Sequence, residues 1–303
     1  MNSKLKIGLA LGSGSSRGWS HIGIIRSLAE LGIEPSIICG TSVGSLVGAS
    51  YVSGNIDRLE DWACSLTKYE AAKFFDINAY LNGFVDIDKF HQFLNDYVAS
   101  DDSLIEDCTK QFVAVATDLD TGTEVWLSEG SIIQAVWASI SLPGLFPAIK
   151  NNNRWLVDGG LVNPVPVSAC RALGADIVIA VNLNGDIVGK HRKLVKNDVK
   201  AKNGVAGKIT DLVREYSGGI FQNNTDLDDG SPGLFDSIAG SINITQDRIT
   251  RSRLAGDPPD IMLSPKLSRI GLLELYRARE AISEGEKCVQ RMLPEIKYVL
   301  DMN

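Results

Sequence analysis

The stretch Ile37-Ile38-Cys39-Gly40-Thr41-Ser42-Val43-Gly44 narrows the possible folds more than any other part of the chain. A short apolar run stops at a glycine, a serine follows two residues later, and a second glycine leads into a small-residue apolar stretch suited to a helix. Strand, Gly-x-Ser-x-Gly and helix, in that order, form the pattern of a nucleophile elbow. The turn is too tight for side chains at its flanks, which accounts for Gly40 and Gly44, while Thr41 and Val43 frame the serine. Such a turn lifts the Ser42 hydroxyl out of a sheet, at the positive end of the following helix. In a chain with 29 glycines the same pattern also describes an ordinary strand-to-helix turn, so its meaning depends on its surroundings.

The flanking sequence alternates. Residues 6–11 read as a buried strand and 12–18 as a glycine-rich loop. His21, Ile24, Ile25, Leu28 and Leu31 then recur at helical spacing up to Gly32. The elbow strand begins after Pro35, and its helix runs from Ser42 to about Val52. Further on, residues 112–116 and 124–127 read as a hairpin, 131–139 as a helix, and short strands flank 151–153. A helix over 167–173 and an apolar strand over 176–181 follow. Apolar strands alternating with helices predict an α/β fold, a three-layer sandwich with a central, mostly parallel sheet and helices on both faces.

A length of 303 residues suits one large domain or two small ones. The expectation is a single domain over 1–303: a motif-bearing core at about 5–183, a variable basic loop and helices over 185–256, and a C-terminal strand and helix over 257–303. Residues 57–98 read as peripheral helices capped at Asp57 and at Asp86 or Asp88, and the last helix is interrupted near Pro294. A net charge of −7 gives nothing to favour nucleic acid. Five scattered cysteines, with no CxxC or Cys/His spacing, read as reduced core residues of a cytoplasmic protein and imply no metal site. No apolar run approaches the roughly 18 residues that span a bilayer. The basic stretch 190–221, with one apolar helical face, suits either peripheral contact with an anionic membrane or a solvated loop and packed helix.

Two further pieces accompany the elbow. Gly12-Ser13-Gly14-Ser15-Ser16-Arg17-Gly18 frees backbone N–H groups to converge on an anion, a nucleotide phosphate or the oxyanion of an acyl transfer. Asp158, at a strand end, is followed by Gly159 and Gly160, which let substrate or backbone come close. A dinucleotide site would need an acidic residue at the end of the second strand, where Cys39-Gly40-Thr41-Ser42 stands, and no Gly-x-x-x-x-Gly-Lys-[Ser/Thr] occurs. Of three histidines, His21 reads as a helix-packing residue and His91 as peripheral. His191 completes the order Ser42…Asp158…His191 but lies between Lys190 and Arg192. A Ser42–Asp158 dyad fits better. It requires a desolvated carboxylate hydrogen-bonded to the serine, because a carboxylate near its ordinary pKa of about 3.9 is a weak base toward an alcohol.

Taken in order, the glycine loop, Gly40-Thr-Ser42-Val-Gly44, Ser141-Leu-Pro143-Gly144-Leu-Phe146-Pro147 and Asp158-Gly159-Gly160-Leu-Val-Asn163-Pro164-Val-Pro166 resemble the patatin-like phospholipase family over about residues 5–183. The resemblance implies a serine acyl hydrolase acting on lipid acyl esters without metal or cofactor. In it Ser42 is the nucleophile, Asp158 the base, and the loop Gly12, Ser13, Gly14, Ser15 and Arg17 the oxyanion site. Gly40, Thr41, Val43 and Gly44 build the elbow, and Gly159 and Gly160 support the aspartate. Ser13 and Ser15 stand where many relatives have glycine, so a loop that needs φ > 0 would be strained there. The expected substrates are phospholipids or lysophospholipids. The alternatives are a lipid-binding or regulatory protein with little turnover and a nucleotide-dependent enzyme. Head group, chain length and oligomeric state leave no mark in the sequence.

Overall fold

A computed structural model describes residues 5–74, 87–187 and 234–302. Its centre is an eight-stranded mixed sheet. Strands β1 (Ile7–Leu11), β2 (Ile37–Thr41), β3 (Gln111–Asp118), β7 (Ile177–Val181) and β8 (Ile261–Leu263) run parallel in the order β3-β2-β1-β7-β8. Strands β4 (Glu124–Leu127), β5 (Ile149–Asn151) and β6 (Arg154–Asp158) add antiparallel pairings at the β3 end. The β5–β6 turn is made by Asn152 and Asn153, both at positive φ, where asparagine is better tolerated than most residues.

The inner strands are buried on both faces, and alternation assigns each residue to a layer. Leu9, Leu11, Ile38, Phe112, Ala114, Ile179 and Val181 belong to the larger core. On that side lie α1 (Ser20–Glu30), α2 (Val43–Val52), α3 (Ile56–Ser65), α5 (Ile87–Tyr97), α6 (Ile132–Ile140) and α9 (Ala278–Val299), with the short α4 (Lys68–Phe74) contributing Ala71. Ala10, Ile37, Cys39, Val113, Val115, Val178 and Ala180 meet α7 (Val167–Ala172) on the opposite face, with Leu254 of α8 (Leu234–Gly256) against them. This is the expected three-layer α/β architecture.

The C-terminal helix belongs to that core. A Cβ at Gly23 of α1 would strike the Ile282 carbonyl, and one at Gly285 of α9 would strike the Ser20 carbonyl, so paired glycines let the two backbones touch. Pro294 does not interrupt α9, which continues to Val299. Asp57 does not cap α3. It sits in the first turn and accepts a hydrogen bond from Arg26 at 2.8 Å. The basic stretch 190–221, His191 and Asp86 lie outside the described residues.

Candidate active site

Strand β3 brings Ser42 and Asp158 together. Val115 pairs with Thr41 on one flank and Trp126 on the other, whereas Ala116, one residue on, pairs with Asp158 and Val125. Strands β2 and β6 therefore share one edge of β3, arriving from opposite directions and ending against each other. The residue after Thr41 is Ser42, and its Oγ donates to Asp158 Oδ2 at 2.6 Å.

The elbow holds the serine in an unfavourable backbone conformation, φ 56° and ψ −127°. A non-glycine residue there costs on the order of 1–3 kcal/mol and persists only where its surroundings impose it. Those surroundings are specific. The Ser42 N–H donates to Ser139 Oγ at 2.9 Å, and that hydroxyl donates to the Val115 carbonyl at 2.6 Å. Thr41 Oγ1 donates to the Asn163 carbonyl, tying the elbow to the turn that follows Asp158. Glycine is required at Gly40 and Gly44 by close approach: a Cβ would meet the Ser45 backbone in the first case and the Leu11 carbonyl in the second.

Asp158 is almost fully buried. Burial lifts its carboxyl from the ordinary 3.8 to about 6, while hydrogen bonds from Ser42 and from the Gly160 N–H (2.6 Å to Oδ1) hold it from rising further. The group is mainly ionised at neutral pH yet far more basic than a solvated aspartate. Thr117 Oγ1 donates to its carbonyl, and its own N–H donates to the Ser141 carbonyl. The Ser141-Leu-Pro143 segment therefore adjoins the aspartate directly.

The glycine loop divides by hydrogen bonding. Gly12 and Ser13 donate their N–H groups to the Val181 and Pro164 carbonyls and anchor the loop to the sheet. The Gly14 and Ser15 N–H groups have no backbone acceptor among the described residues. Ser15 has φ 52°, the positive-φ serine that the sequence marked as a source of strain. Its Oγ donates to the Leu272 carbonyl at 2.6 Å, which helps impose that conformation. Arg17 is buried. Its Nε donates to the Gly14 carbonyl at 3.1 Å and its Nη2 to Asn243 Oδ1 at 2.7 Å, and burial lowers its pKa to about 10. The guanidinium braces the loop from behind.

No histidine partners Ser42 among the described residues. The His21 ring is fully buried, with Nε2 2.8 Å from the Gly12 carbonyl, and burial lowers its pKa to about 4. The neutral ring thus donates from Nε2 and supports the loop. His91 pairs with Asp101 at 3.1 Å.

Ser15, Ser42 and Asp158 line one cavity, whose other walls are Trp19, Val43, Leu46, Trp62, Phe90, Phe93, Ile140, Leu142, Leu145, Phe146 and Leu275. Its polar lining is Ser15, Ser42 and Asp158, and the rest is apolar or aromatic. Ser139, Asn243, Gln246, Leu272 and Leu275 carry no motif and were not legible as site residues. In α8 the signal was a row of polar residues, Asn243, Gln246 and Thr250, at one-face helical spacing, which in sequence reads as a solvent face.

The patatin-like phospholipase profile matches residues 9–171, more than half of the chain and all of the elbow, loop and Asp158 turn. The chain belongs to the patatin-like phospholipase family. Among patatin-like relatives, an uncharacterized NTE family protein of Mycobacterium bovis is 29% identical over 335 aligned positions, covering 96% of this chain and 92% of that one. A lysophospholipase NTE1 of Candida glabrata is 33% identical over 186 positions, covering 58% of this chain and 10% of that protein. In structure, VipD from Legionella pneumophila aligns with a TM-score of 0.44 at 12% identity, covering 96% of this chain and 66% of that one. Among the described residues of this family member, no helix is long and apolar enough to cross a membrane.

Proposed function

We propose that the protein is a serine acyl hydrolase that cleaves fatty acyl esters of phospholipids or lysophospholipids through a Ser42–Asp158 dyad. The observation that carries this reading is the 2.6 Å hydrogen bond from a strained elbow serine to a buried carboxylate whose pKa is raised to about 6. A base nearer the operating pH removes a proton more effectively in the transition state. Ser42 Oγ attacks the ester carbonyl as its proton passes to Asp158 Oδ2. The carbonyl oxygen becomes an oxyanion and is received by the Gly14 and Ser15 N–H groups. Collapse breaks the C–O bond, and Asp158 returns the proton to the leaving alkoxide. Water then attacks the acyl-serine, with Asp158 taking its proton; the acyl–Oγ bond breaks, Asp158 returns the proton to Ser42 Oγ, and the fatty acid departs.

The apolar cavity favours a long acyl chain over a polar acyl group. The NTE1 relative is named a lysophospholipase, which supports the substrate class, and the family membership supports lipid hydrolysis in general. The test is hydrolysis of a lipid panel, phospholipids and lysophospholipids of varied chain length, with Ser42→Ala as the blank. Release of fatty acid by wild type and none by the blank is expected. Equal release by both would end the proposal.

A further inference from the structure

Helix α8 lies outside the residues matched by the family profile, yet it touches both halves of the proposed active site. Gln246 is buried, and its Oε1 accepts two hydrogen bonds, from Ser13 Oγ at 3.1 Å and from Asn184 Nδ2 at 2.9 Å. Asn184 Nδ2 also reaches the Ser13 carbonyl at 3.3 Å. The other end of the same amide, Nε2, packs so closely on Gly160 that a Cβ there would collide with it. Gly160 is the residue whose N–H holds Asp158 Oδ1. One turn earlier on α8, Asn243 Oδ1 accepts from Arg17, which in turn holds the Gly14 carbonyl.

We propose that Gln246, assisted by Asn243, is a positioning residue that fixes the distance between the oxyanion loop and the Asp158 turn. The inference rests on the catalytic reading above. The loop and the aspartate come from different strands, β1 and β6, which do not pair: β1 pairs with β2, and β6 ends against β2 on the same edge of β3. Sheet hydrogen bonds set Thr41 against Asp158, but the loop extends beyond the end of β1. A single amide seated on Ser13 at one end and on Gly160 at the other closes that gap from α8. A Cβ at Gly160 would meet both Gln246 Nε2 and Asp158 Oδ1, so the amide fits there only because residue 160 has no side chain. The two hydrogen bonds to Oε1 are buried, so Gln246 has little freedom to exchange them for water. Its effect on the reaction passes through the loop, since it is not among the residues lining the cavity at Ser42.

The test uses the full chain with Gln246→Met, which keeps the side-chain length and removes the acceptor, with Ser13→Ala, and with the double variant. Catalytic placement off by a fraction of an ångström to 1 Å costs about 10- to 100-fold. Gln246→Met is therefore expected to lower kcat by about that factor with KM little changed. The rate of Ser42 phosphonylation by a fluorophosphonate should fall in parallel, and the pH midpoint set by Asp158 should stay in place. If Gln246 acts through Ser13, the double variant is no slower than the worse single variant, whereas independent effects would multiply. Unchanged kcat in Gln246→Met, or multiplied losses in the double variant, would overturn the proposal. If Gln246→Met does not fold, Ser13→Ala carries the test from the other side of the same hydrogen bond, with the same kcat, KM and labelling readouts, and an unchanged kcat there would overturn the proposal. Full activity in Ser42→Ala would instead remove the catalytic reading itself. An inactive Ser42→Ala beside a fully active Gln246→Met would remove the positioning role alone.

Discussion

Replacing Asp158 by asparagine is expected to abolish turnover and to stabilise the fold. Asparagine keeps the shape, accepts from the Gly160 N–H through Oδ1, and donates to Ser42 Oγ through Nδ2, so neither partner is orphaned. What it removes is a buried negative charge. The carboxyl titrates at about 6 in the fold and at 3.8 when solvated. Because the folded value is raised, the native state holds its proton more tightly, and stability from this group falls as pH rises from 3.8 to 6, then stays level. At 1.36 kcal/mol per pH unit of difference, the charged form costs the native state about 3 kcal/mol at neutral pH. For a chain of this length that corresponds to a rise in Tm of roughly 5 °C. Thermal unfolding of wild type and Asp158→Asn at pH 8 and pH 4 measures it. The variant should melt higher at pH 8, and the gap should shrink to under about 1 kcal/mol at pH 4, where wild-type Asp158 is already protonated. A lower Tm at pH 8, or an equal gap at both pH values, would refute the claim that a desolvated charge is the base.

Three further outcomes follow from the same geometry. The pH profile of kcat/KM should fall on the acid side with a midpoint near 6, giving about a tenfold loss at pH 5 relative to the plateau, because in the proposed mechanism the ionised carboxylate is the base. His21→Phe leaves the buried Gly12 carbonyl without its donor and should cost about 1–3 kcal/mol in chemical denaturation. It should also remove a stability term that wild type loses as pH falls from 6.5 toward 4, where the depressed His21 must charge. Gly160→Ala should cut activity by at least tenfold with any residual stability change seen separately by calorimetry, since its methyl meets Gln246 and lies 2.9 Å from Asp158 Oδ1.

Much of the scaffold was readable from the chain. The inner strands are continuous apolar runs because both faces are covered, and the elbow glycines are forced by contacts that the motif already implies. Ser42 and Asp158 could be named, but not their contact, because it depends on two strands sharing one edge of β3, a register that no local pattern encodes. The glycine loop could be named in the sequence as a candidate anion cradle, the role proposed for it above. Its division into anchors (Gly12 and Ser13) and N–H groups with no backbone acceptor among the described residues (Gly14 and Ser15) depends on partners more than 150 residues away in the first case. Pro294 read as a break, yet its helix continues through it. Asn243 and Gln246 were invisible for a different reason: a buried polar stripe has the same spacing and composition as a solvated one, and only the polar partners opposite it distinguish the two.

The most direct test of the central claim joins covalent labelling to turnover at one residue. A fluorophosphonate should add a single phosphonyl group to the peptide containing Ser42, in step with the loss of lipid acyl ester hydrolysis, and Ser42→Ala should show neither labelling nor hydrolysis. Hydrolysis that persists in Ser42→Ala, or inactivation with the label on another residue, would contradict the Ser42–Asp158 dyad.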